Sequence, residues 1–294
     1  MKPPRVTQKV FEVSLSVPQT TLGAVDILRN VLLNVGIRLE DIIEQDVDGH
    51  KALAFYCPSL KLTQNLERKL KKICSNGMEV RCGVLYQDDW LTRWKKDWKP
   101  FALTSRLDVV PAWCQEAYTL GKRDHILLDT ISSFGTGLHE TTRFMAQFVE
   151  ALQGKFDNCL DVGTGTGILA LVALKTGAKE VYAIDIDEMC VQAASANLKA
   201  NGYSDEFIMQ SDLLKFKPSQ KFDFVLANLM THDLVKMKRK ILSFVKPGGW
   251  LAVSGVSLEN LPLLRQGFDS LPLRCVKIQK GTKWAAVLFR RNRT

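Results

Sequence analysis

The chain has 294 residues, of which 46% are hydrophobic and 24% charged, and a formal net charge of +9. That length suits two domains, and the composition excludes a long disordered chain. No apolar run approaches the roughly 18 residues of a bilayer-spanning helix, and Met1-Lys2-Pro3-Pro4-Arg5 has no apolar stretch behind it, so neither a membrane span nor a secretory signal is expected.

In chain order, residues 10–17 alternate strictly, with Phe11, Val13, Leu15 and Val17 on one face, which predicts a half-buried strand. Thr20 or Thr21 can cap a helix that turns Leu22, Val25, Leu28 or Ile27, Val31, Leu32 and Val35 inward and stops at Gly36. Residues 37–47 and 51–57 flank Asp48-Gly49, a dipeptide suited to a tight hairpin. Ser59 opens a second helix with Leu62, Leu66, Leu70 and Ile73 as its stripe and Asn76-Gly77 as its stop. Residues 78–86 alternate again, through Met78, Val80, Cys82, Val84 and Tyr86. The order β-α-β-β-α-β is the ferredoxin-like arrangement, expected over residues 1–86. Trp90, Trp94 and Trp98 then share one helical face in a linker expected at 87–100. Large indoles are costly to leave in water, which favours packing at an interface over a stacking surface for nucleic acid.

From residue 101 strands and helices alternate. Strands are expected at 159–162, 181–184, 207–209, 224–227 and 250–254, with helices at 168–175, 188–201, 232–245 and 257–268. Pro247-Gly248-Gly249 reads as a turn, and 274–279 with 284–290 as a closing hairpin around Gly281. This pattern means a doubly wound, mostly parallel α/β sheet over 101–294 with one antiparallel intrusion.

The seven cysteines are scattered without a C-x-x-C pair, and the four histidines do not cluster with them. That argues against a disulfide scaffold and a zinc site, and sets the expectation of reduced thiols in a cytoplasmic protein without a bound metal. The positive excess is diffuse, with small clusters at Lys236, Lys238, Arg239, Lys240 and at Arg290, Arg291, Arg293. It permits proximity to RNA or the ribosome without requiring it.

The chemistry concentrates at Asp161-Val-Gly163-Thr-Gly165-Thr-Gly167, between a strand and a helix. A dinucleotide fingerprint would need a third glycine where Ile168 stands, and no Gly-Lys-Ser/Thr follows as in a phosphate loop. Bare backbone at alternate positions lets a ligand approach the turn, and the amides of the turn and the helix start are expected to meet a carboxylate. Asp185 ends the next strand, where a carboxylate can accept hydrogen bonds from a ribose diol, and Asp187 suits a helix cap. Asp212, after the following strand, either bonds an adenine amino group or sits solvated in a loop.

The glycine turn with its spaced acid resembles the class I S-adenosylmethionine-dependent methyltransferases. Ser133-Phe134-Gly135-Thr136-Gly137-Leu138-His139-Glu140-Thr141-Thr142, Ala227-Asn228-Leu229-Met230, Asp89-Trp90 with Trp94-Lys95, and Lys246-Pro-Gly-Gly249 with Ser254-Gly255 narrow it. Together they are similar to the family that methylates large-subunit ribosomal protein L11. The resemblance implies a Rossmann-like methyltransferase sheet behind an N-terminal domain that holds the protein substrate. It implies S-adenosylmethionine held by Thr142, Gly163, Gly165, Asp185 and Asn228: Gly163 at the methionine part, Asp185 at the ribose, Thr142 from the helix start. Asn228 would be the catalytic residue, beside the transferred methyl. The common family form has Pro where Glu140 stands and often Cys where Thr164 stands, neither of them a donor-binding side chain.

Methyl transfer to an amine needs alignment, exclusion of water and a neutral nucleophile more than a dedicated base. A free lysine has a pKa of about 10.4, and desolvation lowers it. Leu229-Met230 after Asn228, in place of Pro-Pro-aromatic, leans toward an aliphatic amine over a planar amide or adenine. His139 stays open between orienting Thr142 or the acceptor and capping the helix. Two alternatives remain at this level: an RNA methyltransferase on the same fold, and a non-catalytic ribosome-assembly factor.

Overall fold

The structure, a computed structural model, describes residues 9–18, 24–35, 37, 43–47, 50–57, 59–74, 78–86, 98–116, 118, 123–129 and 137–293. The chain divides into two compact units, 1–98 and 99–294. The expected cap at Thr20 or Thr21, the breaks at Gly36, Asp48-Gly49 and Asn76-Gly77, Trp90 and Trp94, and residues 133–136 lie outside the described residues.

The first unit contains β1 (Lys9–Pro18), α1 (Ala24–Asn34), β2 (Ile43–Val47), β3 (His50–Cys57), α2 (Leu60–Ile73) and β4 (Glu79–Tyr86). They form an antiparallel sheet in the order β2-β3-β1-β4. The alternation of β1 places Phe11, Val13 and Leu15 in one core with Leu28 and Leu32 of α1 and Leu66 and Leu70 of α2. Ser59 caps α2, accepting the Leu62 N–H at 3.4 Å. The buried stripe of α2 is Thr63, Leu66 and Leu70, whereas Leu62 and Ile73 are exposed. A run with four-residue spacing drifts off a 3.6-residue period, so its ends leave the core face. Cys82, expected inward, is exposed on β4, an edge strand whose only sheet partner among the described residues is β1.

The second unit opens with a small sheet that the sequence reading did not resolve: β5 (Phe101–Ala102), β6 (Leu107–Pro111) and β7 (Asp124–Leu128). Then follow α3 (Glu140–Ala151), β8 (Asn158–Val162), α4 (Ile168–Lys175), β9 (Glu180–Asp185), α5 (Glu188–Ala200), β10 (Ile208–Gln210), β11 (Phe222–Asn228), α6 (Thr231–Phe244), β12 (Val245–Ser257), α7 (Leu261–Asp269), β13 (Leu273–Lys280) and β14 (Trp284–Arg291). The main sheet runs β10-β9-β8-β11-β12-β14-β13. Its first five strands are parallel neighbours, and β14 is antiparallel to both β12 and β13. Because β8 leads on to β9 and β10 on one side while β11 leads to β12 on the other, the order reverses between β8 and β11. The crevice beyond their carboxyl ends is where such sheets bind ligands.

Two expectations are corrected. Pro247-Gly248-Gly249 is a looped-out stretch within β12: Phe222 pairs with Val245 and Phe224 with Trp250, so residues 246–249 bulge from the ladder. Gly248 takes φ +71° there. The last helix starts at Leu261 rather than 257, because Ser257 still pairs with Trp284 and Pro262 belongs in a first turn, where its missing N–H costs nothing. No helix among the described residues is long and apolar enough to cross a membrane.

Two asparagines one turn apart on α5 hold the end of β7 to the unit. Asn201 accepts the Leu127 N–H at 2.9 Å and donates to the Leu127 carbonyl at 2.7 Å. Asn197, buried, accepts the Asp129 N–H at 2.8 Å and donates to the Asp129 and Thr166 carbonyls at 2.9 Å. These amides give hydrogen-bond partners to backbone at the edge strand β7, whose sheet neighbour is β6. Asn197→Ala, which orphans those groups, is expected to cost roughly 3 kcal/mol and to lower the melting temperature by about 6–12 °C, as read by calorimetry.

Candidate active site

The glycine turn that leaves β8 has three left-handed glycines, Gly163 at φ +70°, Gly165 at +55° and Gly167 at +79°. Its amides are bonded within the protein. Gly163 and Thr164 both donate to the Ile184 carbonyl, at 2.9 and 3.0 Å, and Gly167 donates to the Thr164 carbonyl at 2.9 Å. Gly165 donates to Asp185 Oδ2 at 2.9 Å. The expectation that these amides meet a ligand carboxylate is therefore corrected: the loop uses them to hold its own shape. Two glycines also answer to packing. A Cβ on Gly163 would stand 2.6 Å from Leu229 Cδ2, and one on Gly167 would stand 3.1 Å from the Ala194 backbone of α5.

Asp185 ends β9 across from the turn. One carboxylate oxygen takes the Gly165 N–H and the other takes the Asp187 N–H at 3.1 Å. Each oxygen keeps a lone-pair direction for a hydroxyl. Asp187 caps α5 through the Met189 N–H at 2.9 Å. Asp212 has one oxygen on the Leu214 N–H at 2.8 Å.

Between these groups lies a cavity of about 540 Å³, within the usual range for small-molecule sites. Thr142, Gly163, Gly165, Asp185 and Asn228 all line it, so the fold brings together every residue the sequence singled out for the donor. Asp212 joins them, as do Asp187 and Asp233, which sequence reasoning did not connect with the site. The lining thus carries four carboxylates and, among the described residues, no lysine, arginine or histidine, although the chain is strongly basic. Ile168, Ile184, Leu229 and Met237 supply apolar wall. The Cys190 thiol at its edge is pushed up to about 11 by burial and by Asp185 and Asp187, so it stays protonated.

Asn228 ends β11 at the switch point. Its Nδ2 donates to the Thr141 hydroxyl over a long 3.4 Å. Thr141 is the second residue of α3, and its hydroxyl lies 2.8 Å from His139 Nδ1. His139 caps α3, with Nδ1 accepting the Thr141 N–H at 3.4 Å. An accepting Nδ1 makes the Thr141 hydroxyl its donor, which leaves that oxygen to accept from Asn228 and turns Asn228 Oδ1 away from Thr141. His139 is thus resolved as a cap that reaches Asn228 through Thr141, not through Thr142. Thr141 is the functional position that sequence reasoning missed; its only sequence signal is its place beside Thr142.

Asp161, fully buried, accepts the Thr164 hydroxyl at 2.7 Å through Oδ2, while Oδ1 has no hydrogen-bond partner. Burial pushes its carboxyl up to about 7.

The family model described as Ribosomal protein L11 methyltransferase (PrmA) matches residues 23–292. A ribosomal protein L11 methyltransferase of Trichlorobacter lovleyi is 35% identical over 72% of this chain and 70% of its own length. One of Exiguobacterium sibiricum is 27% identical over 92% of this chain and 96% of its own length. The crystal structure of a ribosomal protein L11 methylase from Lactobacillus delbrueckii subsp. bulgaricus superposes with a TM-score of 0.62 at 29% identity, covering 66% of this chain and all of that one.

Asp161 has a testable signature. Its pKa is raised on folding, so the stability it contributes is present below about pH 4 and is lost as pH rises through about 7. The advantage of Asp161→Asn, which cannot ionise, over the parent is expected to be larger near pH 8.5 than near pH 5 by on the order of 3 kcal/mol. Urea unfolding at the two pH values measures this, and equal differences at both would contradict it.

Proposed function

Because the chain belongs to the ribosomal protein L11 methyltransferase family, we propose that it transfers methyl groups from S-adenosylmethionine to lysine side-chain or terminal amines of ribosomal protein L11. One observation carries the reading. A cavity walled by Asp185, Asp187, Asp212 and Asp233, with the glycine turn hydrogen-bonded to Asp185 in its wall, has the charge and shape for a cationic nucleoside. The same lining repels the phosphates of a dinucleotide.

Asp185 would hold the ribose hydroxyls on the lone pairs left free by the Gly165 and Asp187 amides. Gly163 and Gly165 would lie against the methionine part, with Thr142 reaching it from the start of α3. When bound, the donor supplies an electrophilic methyl on a sulfonium. Asn228 Oδ1, set by the bond of its amide nitrogen to Thr141, would accept an N–H of the incoming amine and keep its lone pair aligned for in-line attack. The apolar wall of Ile168, Ile184, Leu229 and Met237 would exclude water from the aligned groups. Charge moves from sulfur to nitrogen within a carboxylate-lined space, and the site does not have to gather new charge as the methyl moves.

Residues 1–86, as a ferredoxin-like domain, would hold the protein substrate, with 87–100 as the linker after it. The basic clusters at 236–240 and 290–293 support proximity to ribosomal RNA, and a ribosomal substrate supports a cytoplasmic location.

Three measurements test this. Incubation with labelled donor and total ribosomal protein is expected to label one small protein; labelled RNA would overturn the reading. Asp185→Ala is expected to weaken donor binding at least a hundredfold by calorimetry. Asn228→Ala is expected to keep donor affinity within about tenfold, 1.4 kcal/mol, while turnover falls much further; equal losses would make Asn228 part of the scaffold.

A further inference from the structure

We propose that Glu140 is a positioning residue for methyl transfer: its carboxylate clasps the turn between β13 and β14 and so sets the start of α3, from which Thr141 orients Asn228. The inference rests on the reading of Asn228 as the residue beside the acceptor amine.

Glu140 is the first residue of α3. Its Oε1 accepts the Thr282 N–H at 3.0 Å and the Thr282 hydroxyl at 2.8 Å, and its Oε2 accepts the Lys283 N–H at 3.4 Å. These bonds hold its carboxyl below the usual range, so it is ionised throughout the neutral region. The fit is close: a Cβ on Gly281 would stand 2.5 Å from Glu140 Oε2. One residue back, the His139 ring meets Trp284 edge-on, with centroids 5.0 Å apart. The helix start is thus fastened to the β13–β14 turn at two successive residues.

That turn is itself anchored to β12 and the loop after it. Leu258 donates to the Lys283 carbonyl at 3.0 Å, and the Ser254 hydroxyl donates to the Ala285 carbonyl at 3.0 Å. The Ser254 carbonyl also takes the Leu229 N–H at 3.1 Å, right beside Asn228. Two arms therefore leave the same β12–β14 ladder. One carries Asn228 through Leu229 and Ser254, and the other carries Thr141 through the clasp. They close on each other at the 3.4 Å contact between Asn228 Nδ2 and Thr141 Oγ1. A contact already that long is lost with a displacement of a few tenths of an ångström. Without it Asn228 Oδ1 has no reason to prefer the cavity.

An acid in the first turn also favours a helix through its charge alone, and the variants separate the two effects. Glu140→Gln keeps the reach and one acceptor oxygen without the charge. Glu140→Asp keeps the charge and loses the reach. With L11 and labelled donor, Glu140→Ala and Glu140→Asp are expected to lower kcat about tenfold, and Glu140→Gln no more than about threefold. Donor affinity should stay within about twofold in all three. Gly281→Ala, which pushes the carboxylate out, is expected to lower kcat as Glu140→Ala does and to add nothing in the Glu140→Ala background. The proposal is overturned if Glu140→Ala turns over normally, if Glu140→Asp is normal while Glu140→Gln is not, if kcat falls only in step with donor affinity and melting temperature, or if the two substitutions add. An inert Glu140→Ala alongside a damaged Asn228→Ala would sink the clasp alone. An inert Asn228→Ala would sink the site reading beneath it.

Discussion

The hydrogen bond from the Gly165 amide to the Asp185 carboxylate joins the ends of two parallel strands at the lip of the cleft. A buried or half-buried carboxylate needs partners, and a glycine-rich turn needs something to hold its shape. Each satisfies the other. The Ile184 carbonyl adds two more bonds from the turn, to Gly163 and Thr164, so the loop after β8 is shaped by the strand beside it. The cavity exists because that loop stays open over the carboxyl ends of β8 and β11. Asp185 stays oriented because both of its oxygens are tied to backbone.

The charge of the cleft follows from the same economy of donors. In a phosphate-binding turn the amides point at the ligand. Here Gly163, Thr164, Gly165 and Gly167 all donate within the protein, so these four amides do not face a ligand. What faces the cavity is carboxylate: Asp185, Asp187, Asp212 and Asp233, carried by the ends of β9 and β10 and by α6. A basic chain has thus concentrated negative charge in this cleft, although Lys236, Lys238, Arg239 and Lys240 follow Asp233 on the same helix, α6, and none of them lines the cavity.

The acceptor side is organised by polarity as much as by position. His139 must accept at Nδ1 to cap α3, and that single requirement propagates through the Thr141 hydroxyl to the amide of Asn228. An amide side chain can be flipped at little cost, so a one-way chain of donors is what distinguishes its two ends. The closing hairpin matters for this reason. The antiparallel β14 brings the 281–283 turn to the start of α3, and Glu140 and His139 grip it there.

Strand and helix order from β8 onward and the cavity-lining set of Thr142, Gly163, Gly165, Asp185 and Asn228 were legible in the residues, because they follow from short-range periodicity and from motifs in a family resemblance. So was the cap at Asp187, a local bond between residues two apart. The looped-out stretch at 246–249 was misread as a turn because its pairing partner, β11, is distant in sequence. The small β5-β6-β7 sheet, the asparagine staples to Leu127 and Asp129, and the roles of Thr141, Glu140 and Asp233 were not legible at all. Periodicity reports which face of an element is apolar. It carries no information about which polar side chain meets which backbone across 68, 87 or 142 residues of chain. Those meetings depend on three-dimensional closure, so the sequence by itself determined the architecture and the residues that line the cavity, and only the tertiary structure decided which polar groups hold the start of α3 and Asn228.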